Sequence, residues 1–160
     1  MTSPDLITVR PANERDVDQL TEFSAAMAFE TEHRVLDRVR LRAGTLAVLR
    51  RSEHGQFYVA EAHDGAQPLT VGQLLITFEW SDWRNAQFWW VQSVYVRPDW
   101  RRRGIYRRMH EAVTAMARAR PDVCGLRLYV ERHNDPARRA YQAQHMVQTP
   151  YEIWEVDFVL

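Results

Sequence analysis

Apolar residues along the chain recur at two spacings, every second position and every third or fourth, and the switches between them mark the elements. Ile7-Thr8-Val9-Arg10 alternates as a short strand that Pro11 ends. Asn13 then caps a helix, with Asp16 at the capping-box position and Val17, Leu20 and Met27 on one face, running to about Phe29. The polar break Glu30-Thr31-Glu32-His33-Arg34 separates it from a second helix, about Leu36 to Arg51. Gln56 to Glu61 reads as a strand, His63-Asp64-Gly65-Ala66 as a turn and Thr70 to Phe78 as the next strand. A polar insert from Glu79 to Asn85 leads into Gln87–Val96, an apolar run continuous enough to predict burial on both faces. Ile105, Met109, Ala112, Val113 and Met116 then fall on one face of a helix that Pro121 stops. Gly125 to Val130 reads as a strand, Asn134-Asp135-Pro136 as a helix start, and Tyr151 to Val159 as a final alternating strand. The order is β-α-α-β-β-β-α-β-α-β without linker or repeat, which predicts one mixed α/β domain over residues 1–160.

Bulk properties narrow the function more than the fold. With 160 residues, 46% hydrophobic and 26% charged, the chain has the size of one domain with one core. Its net charge is zero, so no global field favours nucleic acid or a membrane surface. All 21 basic residues are arginine, so no lysine amine is present for Schiff-base chemistry. Cys124 is the only cysteine, which excludes an internal disulfide and a cysteine zinc site. Met1-Thr2-Ser3-Pro4-Asp5 lacks a basic region followed by an apolar run, and no stretch reaches membrane-spanning length. The expectation is a cytoplasmic protein.

The chemistry concentrates where the Gln87–Val96 run ends. Val94-Tyr95-Val96-Arg97-Pro98-Asp99-Trp100-Arg101-Arg102-Arg103-Gly104-Ile105-Tyr106-Arg107-Arg108 passes from strand through an arginine- and glycine-bearing turn into an amphipathic helix. Backbone N–H groups and the positive end of a helix dipole meet there, which suits a phosphate held without a metal. Arg101-x-x-Gly104-x-Tyr106 resembles the pyrophosphate loop of the GNAT superfamily of N-acetyltransferases, and Asn134-x-x-Ala137-x-x-x-Tyr141 resembles that family's late Asn…Ala…Tyr helix. The element order is similar over nearly the whole chain. The resemblance implies one twisted, mixed, mostly antiparallel sheet of about six to seven strands flanked by about four helices. It also implies acetyl-CoA as co-substrate, with the backbone of Val94, Tyr95 and Val96 pairing with the pantetheine arm. Coenzyme contacts are further implied for Arg101, Arg102, Arg103, Gly104, Ile105, Tyr106 and Arg107, the N–H groups of Arg102 through Arg107 wrapping the pyrophosphate. Asn134 would contact the coenzyme near its thiol, and Tyr141 would give a proton to the departing thiolate. Two positions depart from the pattern. Tyr106 replaces a small residue, which a helical tyrosine satisfies if only close approach of its N–H is needed. His145 stands where a glycine often follows the last helix, a difference in capping.

Acyl transfer to an amine needs a neutral nucleophile, a polarised carbonyl and a protonated leaving group. An alkylammonium of pKa about 10 costs on the order of 4 kcal/mol to neutralise at pH 7, so a base, directly or through water, is required. Related enzymes often carry a glutamate on the central strand, but Trp89, Trp90, Gln92 and Ser93 stand there and none is a base. The nearest candidate is Glu79, while Glu30, Glu32, Asp82 and Trp83 are candidates for lining an acceptor cleft with Trp80. Carboxylates beside aromatic faces favour a cation; otherwise these acids are solvated surface charges and the tryptophans belong to the core or pin a hairpin. The reading is acetyl transfer to a primary amine of a small molecule or peptide, within a possible homodimer. The alternative is a non-catalytic acyl-CoA-binding or sensory domain that kept the fold without the base.

Overall fold

The chain falls into two compact units, Met1–Tyr129 and Val130–Leu160. The computed structural model describes residues 7–63 and 65–159; Met1–Asp5, read for a leader, and Asp64 of the 63–66 turn lie outside them. In the first unit the elements are β1 (Ile7–Pro11), α1 (Val17–Glu32), α2 (Arg38–Arg50), β2 (Gln56–Ala62), β3 (Leu69–Ser81), β4 (Ala86–Val96), α3 (Ile105–Arg118) and β5 (Val123–Arg127). A single 3-10 turn, Glu14–Asp16, precedes α1. Here the capping box read from the sequence forms. The Asn13 side chain accepts from the Arg15 N–H at 3.0 Å while Asp16 accepts from the Asn13 N–H at 2.8 Å. Helix α2 starts two residues later than expected because Asp37 caps it, accepting from the N–H groups of Val39 and Arg40.

The five strands form one sheet in the order β1-β2-β3-β4-β5, antiparallel except for the β4–β5 pair. Strand alternation sorts the core onto its two faces. Tyr58, Ala60 and Ala62 point to the face that Ile105, Met109 and Val113 of α3 cover, while Phe57 and Val59 meet Leu20 of α1 and Val48 and Leu49 of α2. No position of β4 is exposed, as its unbroken apolar run predicted. Gly72 sets the seat of α3, since a Cβ there would come within 3.2 Å of Ile105, Met109 and the Tyr95 carbonyl. Three exposed ion pairs, Glu14–Arg50 from the 3-10 turn and Asp18–Arg42 and Glu22–Arg38 from α1, run in opposite senses along the two segments and mark α1 and α2 as an antiparallel pair.

Helix α1 runs on through Glu30-Thr31-Glu32 of the expected polar break, and the strand read at 125–130 lies at Val123–Arg127. Two further expectations need correction. Strand β3 continues through Glu79, Trp80 and Ser81 because these pair with Phe88, Gln87 and Ala86, so the polar insert shrinks to a turn at 82–85. Cross-strand pairing here outweighs local polarity. In the second unit, α4 (Asp135–Ala143) forms as expected, but residues 151–159 form no strand. The described residues therefore hold five strands rather than six or seven. Alternation only makes a segment suitable for a strand; a ladder also needs a partner edge for every second N–H and C=O. Among the described residues no helix is long and apolar enough to cross a membrane.

Candidate active site

The end of β4 is built by a bulge. Gln73 of β3 opposes Tyr95 and Leu75 opposes Gln92, so β4 spends one more residue than β3 across this stretch, and Ser93 takes a left-handed φ of 50°. Beyond the bulge, β4 still pairs with β3 through Val96, and the Arg97 N–H reaches the Val71 carbonyl at 2.9 Å. Its other edge is different. Pairing with β5 stops at Trp90 opposite Arg127, so among the described residues the edge from Val91 to Val96 has no strand beside it. Val94, Tyr95 and Val96 thus lie on an open strand edge, whose N–H and C=O groups suit an extended amide-bearing ligand.

A 3-10 turn at Pro98–Trp100 buries Trp100 and turns the chain toward α3. Arg102 (φ 61°) and Gly104 (φ 78°) are both left-handed, and Gly104 is the N-cap of α3 without any side-chain cap. A Cβ on Gly104 would meet nothing closer than Arg107 at 3.5 Å, so it is the positive φ and not space that calls for glycine. The first-turn N–H groups of Ile105 and Arg107 have neither an intrahelical carbonyl nor a capping oxygen. Tyr106 is helical, its ring 5.8 Å from that of His110. A bulky residue is therefore accommodated at this loop position. Helix dipole, uncapped N–H groups and arginines together form a cradle that fits a diphosphate.

The arginines of the turn do not share one task. Arg103 lies over the Trp100 ring at 4.8 Å, Arg107 faces Glu111 at 3.9 Å and Arg102 is exposed. Arg101 turns back instead, donating to the Val96 carbonyl at 2.9 Å and to Glu30 at 2.6 Å, with its guanidinium 5.4 Å from the Tyr95 ring centre. The Tyr95 hydroxyl donates to the other Glu30 oxygen at 3.1 Å. Burial, and then this carboxylate, raise the Tyr95 pKa and keep the hydroxyl protonated. Glu30 is thus a tie between the end of α1 and the β4–α3 turn.

Glu79 enters a second cluster. It accepts from the Trp90 indole N–H and from Arg127 at 3.1 Å, and Arg127 stacks 3.7 Å from the Phe88 ring centre. Both carboxylate oxygens are engaged. Glu32, Asp82 and Trp83 join neither cluster and are exposed, as is Trp80, whereas Trp89 is buried in the core. In the second unit the Asn134 side chain caps α4 by accepting from the Ala137 N–H at 3.2 Å. Burial raises the Tyr141 pKa, so its hydroxyl is held in the acid form. Gln73 and Arg127 were missed in the sequence because each acquires its partners from another element; Gln73, a polar residue inside an apolar strand, stood out only in type. Among the described residues no three His, Cys, Asp or Glu side chains gather as a metal site.

The fold has clear counterparts. The family model described as Acetyltransferase (GNAT) family matches residues 17–146. A possible acetyltransferase from Clostridium difficile 630 is 34% identical with a TM-score of 0.87, the match covering 97% of this chain and 99% of that one. The ribosomal-protein-alanine N-acetyltransferase from Brucella melitensis biovar Abortus 2308 shares the fold at 16% identity and a TM-score of 0.74, over 96% and 99% of the two chains. So does AAC(6')-Iy in complex with the bisubstrate analogue CoA-S-monomethyl-acetylneamine, at 13% identity and a TM-score of 0.71, over 96% and 99%. No curated protein matches the chain. Sheet, bulge, turn and helix, together with a family match over most of the sequence, show that the chain belongs to the acetyltransferase (GNAT) family.

Proposed function

We propose that this chain is an acetyl-CoA-dependent N-acetyltransferase whose acceptor is a primary amine on a small molecule or peptide. The observation that carries the reading is the turn Arg101–Gly104, whose left-handed Arg102 and Gly104 deliver the uncapped start of α3 next to the open edge Val94–Val96. In this reading the diphosphate of acetyl-CoA lies on the N–H groups of Arg102 through Arg107, and the amide arm pairs along Val94–Val96. The family resemblance assigns Asn134, whose side-chain oxygen caps α4, the contact near the thiol end. The family neighbours support an amine acceptor, one named for ribosomal-protein alanine and one bound to an acetylneamine analogue.

The amine nitrogen attacks the thioester carbonyl directly, forming the N–C bond as the C–S bond breaks. The amine proton leaves to water, and Tyr141, kept protonated by burial, gives its proton to the thiolate. Glu79 bonds Trp90 and the Arg127 guanidinium, which offsets its charge, so its role in this reading is to receive the amine proton through that water. Glu32, Asp82 and Trp83, all exposed, and Glu30, already held by Tyr95 and Arg101, are the residues this reading assigns to the acceptor side, where carboxylates beside an aromatic face would favour a cation.

The test is coenzyme A thiol release across a panel of amines, with acetyl-CoA titrated by calorimetry into wild type and Gly104→Val. Amine-dependent release is expected. Gly104→Val should weaken binding about 5- to 30-fold, because a β-branched residue at that φ costs about 1–2 kcal/mol. Tyr141→Phe should lower turnover about 100-fold with affinity retained. Equal affinity for Gly104→Val would remove the turn from the coenzyme site. Binding without release from any amine would favour the non-catalytic domain, which the absence of a carboxylate at Trp89–Ser93 suits.

A further inference from the structure

Gln73 is a polar residue among the chain's fully buried large side chains, with 0% exposure, and the others in that group are apolar. Its amide nitrogen donates to Ser24 Oγ of α1 at 2.9 Å and to the Ser93 carbonyl at 3.1 Å. Its Oε1 has no partner among the described residues. A buried amide with one end unsatisfied is costly, and a leucine of similar volume would avoid that cost. The donor end is therefore the part that matters.

That donor end is aimed at the one strained residue of β4. Ser93 holds a left-handed φ without being glycine, which L-residues resist unless their surroundings impose it. A bulge leaves its extra residue outside the regular ladder, and the Ser93 carbonyl finds its acceptor role filled by Gln73. Helix α1 consequently grips β4 at two points, through Ser24 and Gln73 to Ser93 and through Glu30 to Tyr95. The segment between and beyond these grips is Val94–Val96.

We infer that Gln73 is a positioning residue that, anchored by Ser24, clamps the Ser93 bulge in its left-handed form and thereby aims the Val94–Val96 edge at acetyl-CoA. The coenzyme part of this inference rests on the function proposed above; the clamp itself does not.

The experiment compares wild type, Gln73→Leu, Ser24→Ala, and Gln73→Leu combined with Ser93→Gly. It measures amide hydrogen exchange of 93–96 without ligand, acetyl-CoA affinity, and KM for acetyl-CoA and for the acceptor separately. Gln73→Leu should speed exchange at 93–96, weaken acetyl-CoA about tenfold and raise its KM, with acceptor KM unchanged. Ser24→Ala should act in the same direction by a smaller factor and serves if Gln73→Leu does not fold. Adding Ser93→Gly should restore most of the affinity, because glycine adopts the positive φ without a clamp. A packing residue would show no such rescue. Affinity within twofold of wild type, or unchanged exchange at 93–96, would overturn the clamp. If wild type itself fails to bind acetyl-CoA, the proposed function falls while the exchange data still decide the clamp.

Discussion

Asp16 closes two structures at once. Its carboxylate completes the capping box at Asn13 and takes a two-pronged bond from Arg10 at 2.9 and 3.0 Å, while Arg10 also reaches Glu61 at 2.7 Å. Strands β1 and β2 and the entry to α1 are thereby joined through one guanidinium. Burial raises the Asp16 pKa, but the bonds from Arg10 and the Asn13 N–H outweigh it and hold the carboxyl below its ordinary value. A depressed folded-state pKa means that the stabilisation is complete above the unfolded carboxyl pKa of about 3.9 and is lost as pH falls through the lower folded value. Asp16→Asn should therefore cost about 1–2 kcal/mol at pH 7, with the gap to wild type closing as pH falls below 4. Urea unfolding at several pH values checks this, and a gap independent of pH would reject the charged role. The capping box was legible because its partners lie three residues apart; the bond to Glu61 was not, because β1–β2 pairing creates it.

At the scale of elements, helix ends carry most of what local sequence can say. Gly104 begins α3 in the left-handed region, and Asn134 begins α4 as its position before Asp135-Pro136 implied. His145 ends α4 in that same region, φ 62°, with its N–H bonded to Gln142 and the Met146 N–H bonded to Tyr141. The departure from glycine here is a strained cap, as its position suggested. His145→Gly should relieve the strain, offset partly by the greater freedom of glycine in the unfolded chain. A net gain of about 0.5–1 kcal/mol would slow hydrogen exchange of the α4 amides about two- to fivefold; unchanged or faster exchange would show that His145 sits there without strain. Strand ends read less well. Glu79-Trp80-Ser81 looked like loop and is strand, while the segment from Tyr151 looked like strand and is not.

The two units of the molecule differ in how much they bury. The first holds both core clusters around the sheet, whereas the described residues from Val130 onward are at most half-buried, as Tyr141 is, and Tyr151, Trp154 and Phe158 are exposed. Local stability follows buried apolar contact. Limited chymotrypsin digestion followed by mass spectrometry should thus cut first at Tyr151, Trp154 or Phe158, with the Ile7–Arg127 region the last to be degraded; a first cut within β2, β3 or β4 would contradict this. The sequence by itself determined the order of elements as far as α4, the caps at Asn13 and Asn134 and the arginine–glycine turn, since each depends on residues within a few positions of one another. Tertiary structure decided the rest. Which edge of β4 stays open, that Glu30 is held by Tyr95 and Arg101, that Glu79 is held by Trp90 and Arg127, and that Gln73 grips the bulge all follow from strand register and helix seating. These bring together residues up to 71 positions apart, and hydrophobic period carries no information about such pairs. The acids that the sequence offered as candidates acquired their partners only when the sheet closed.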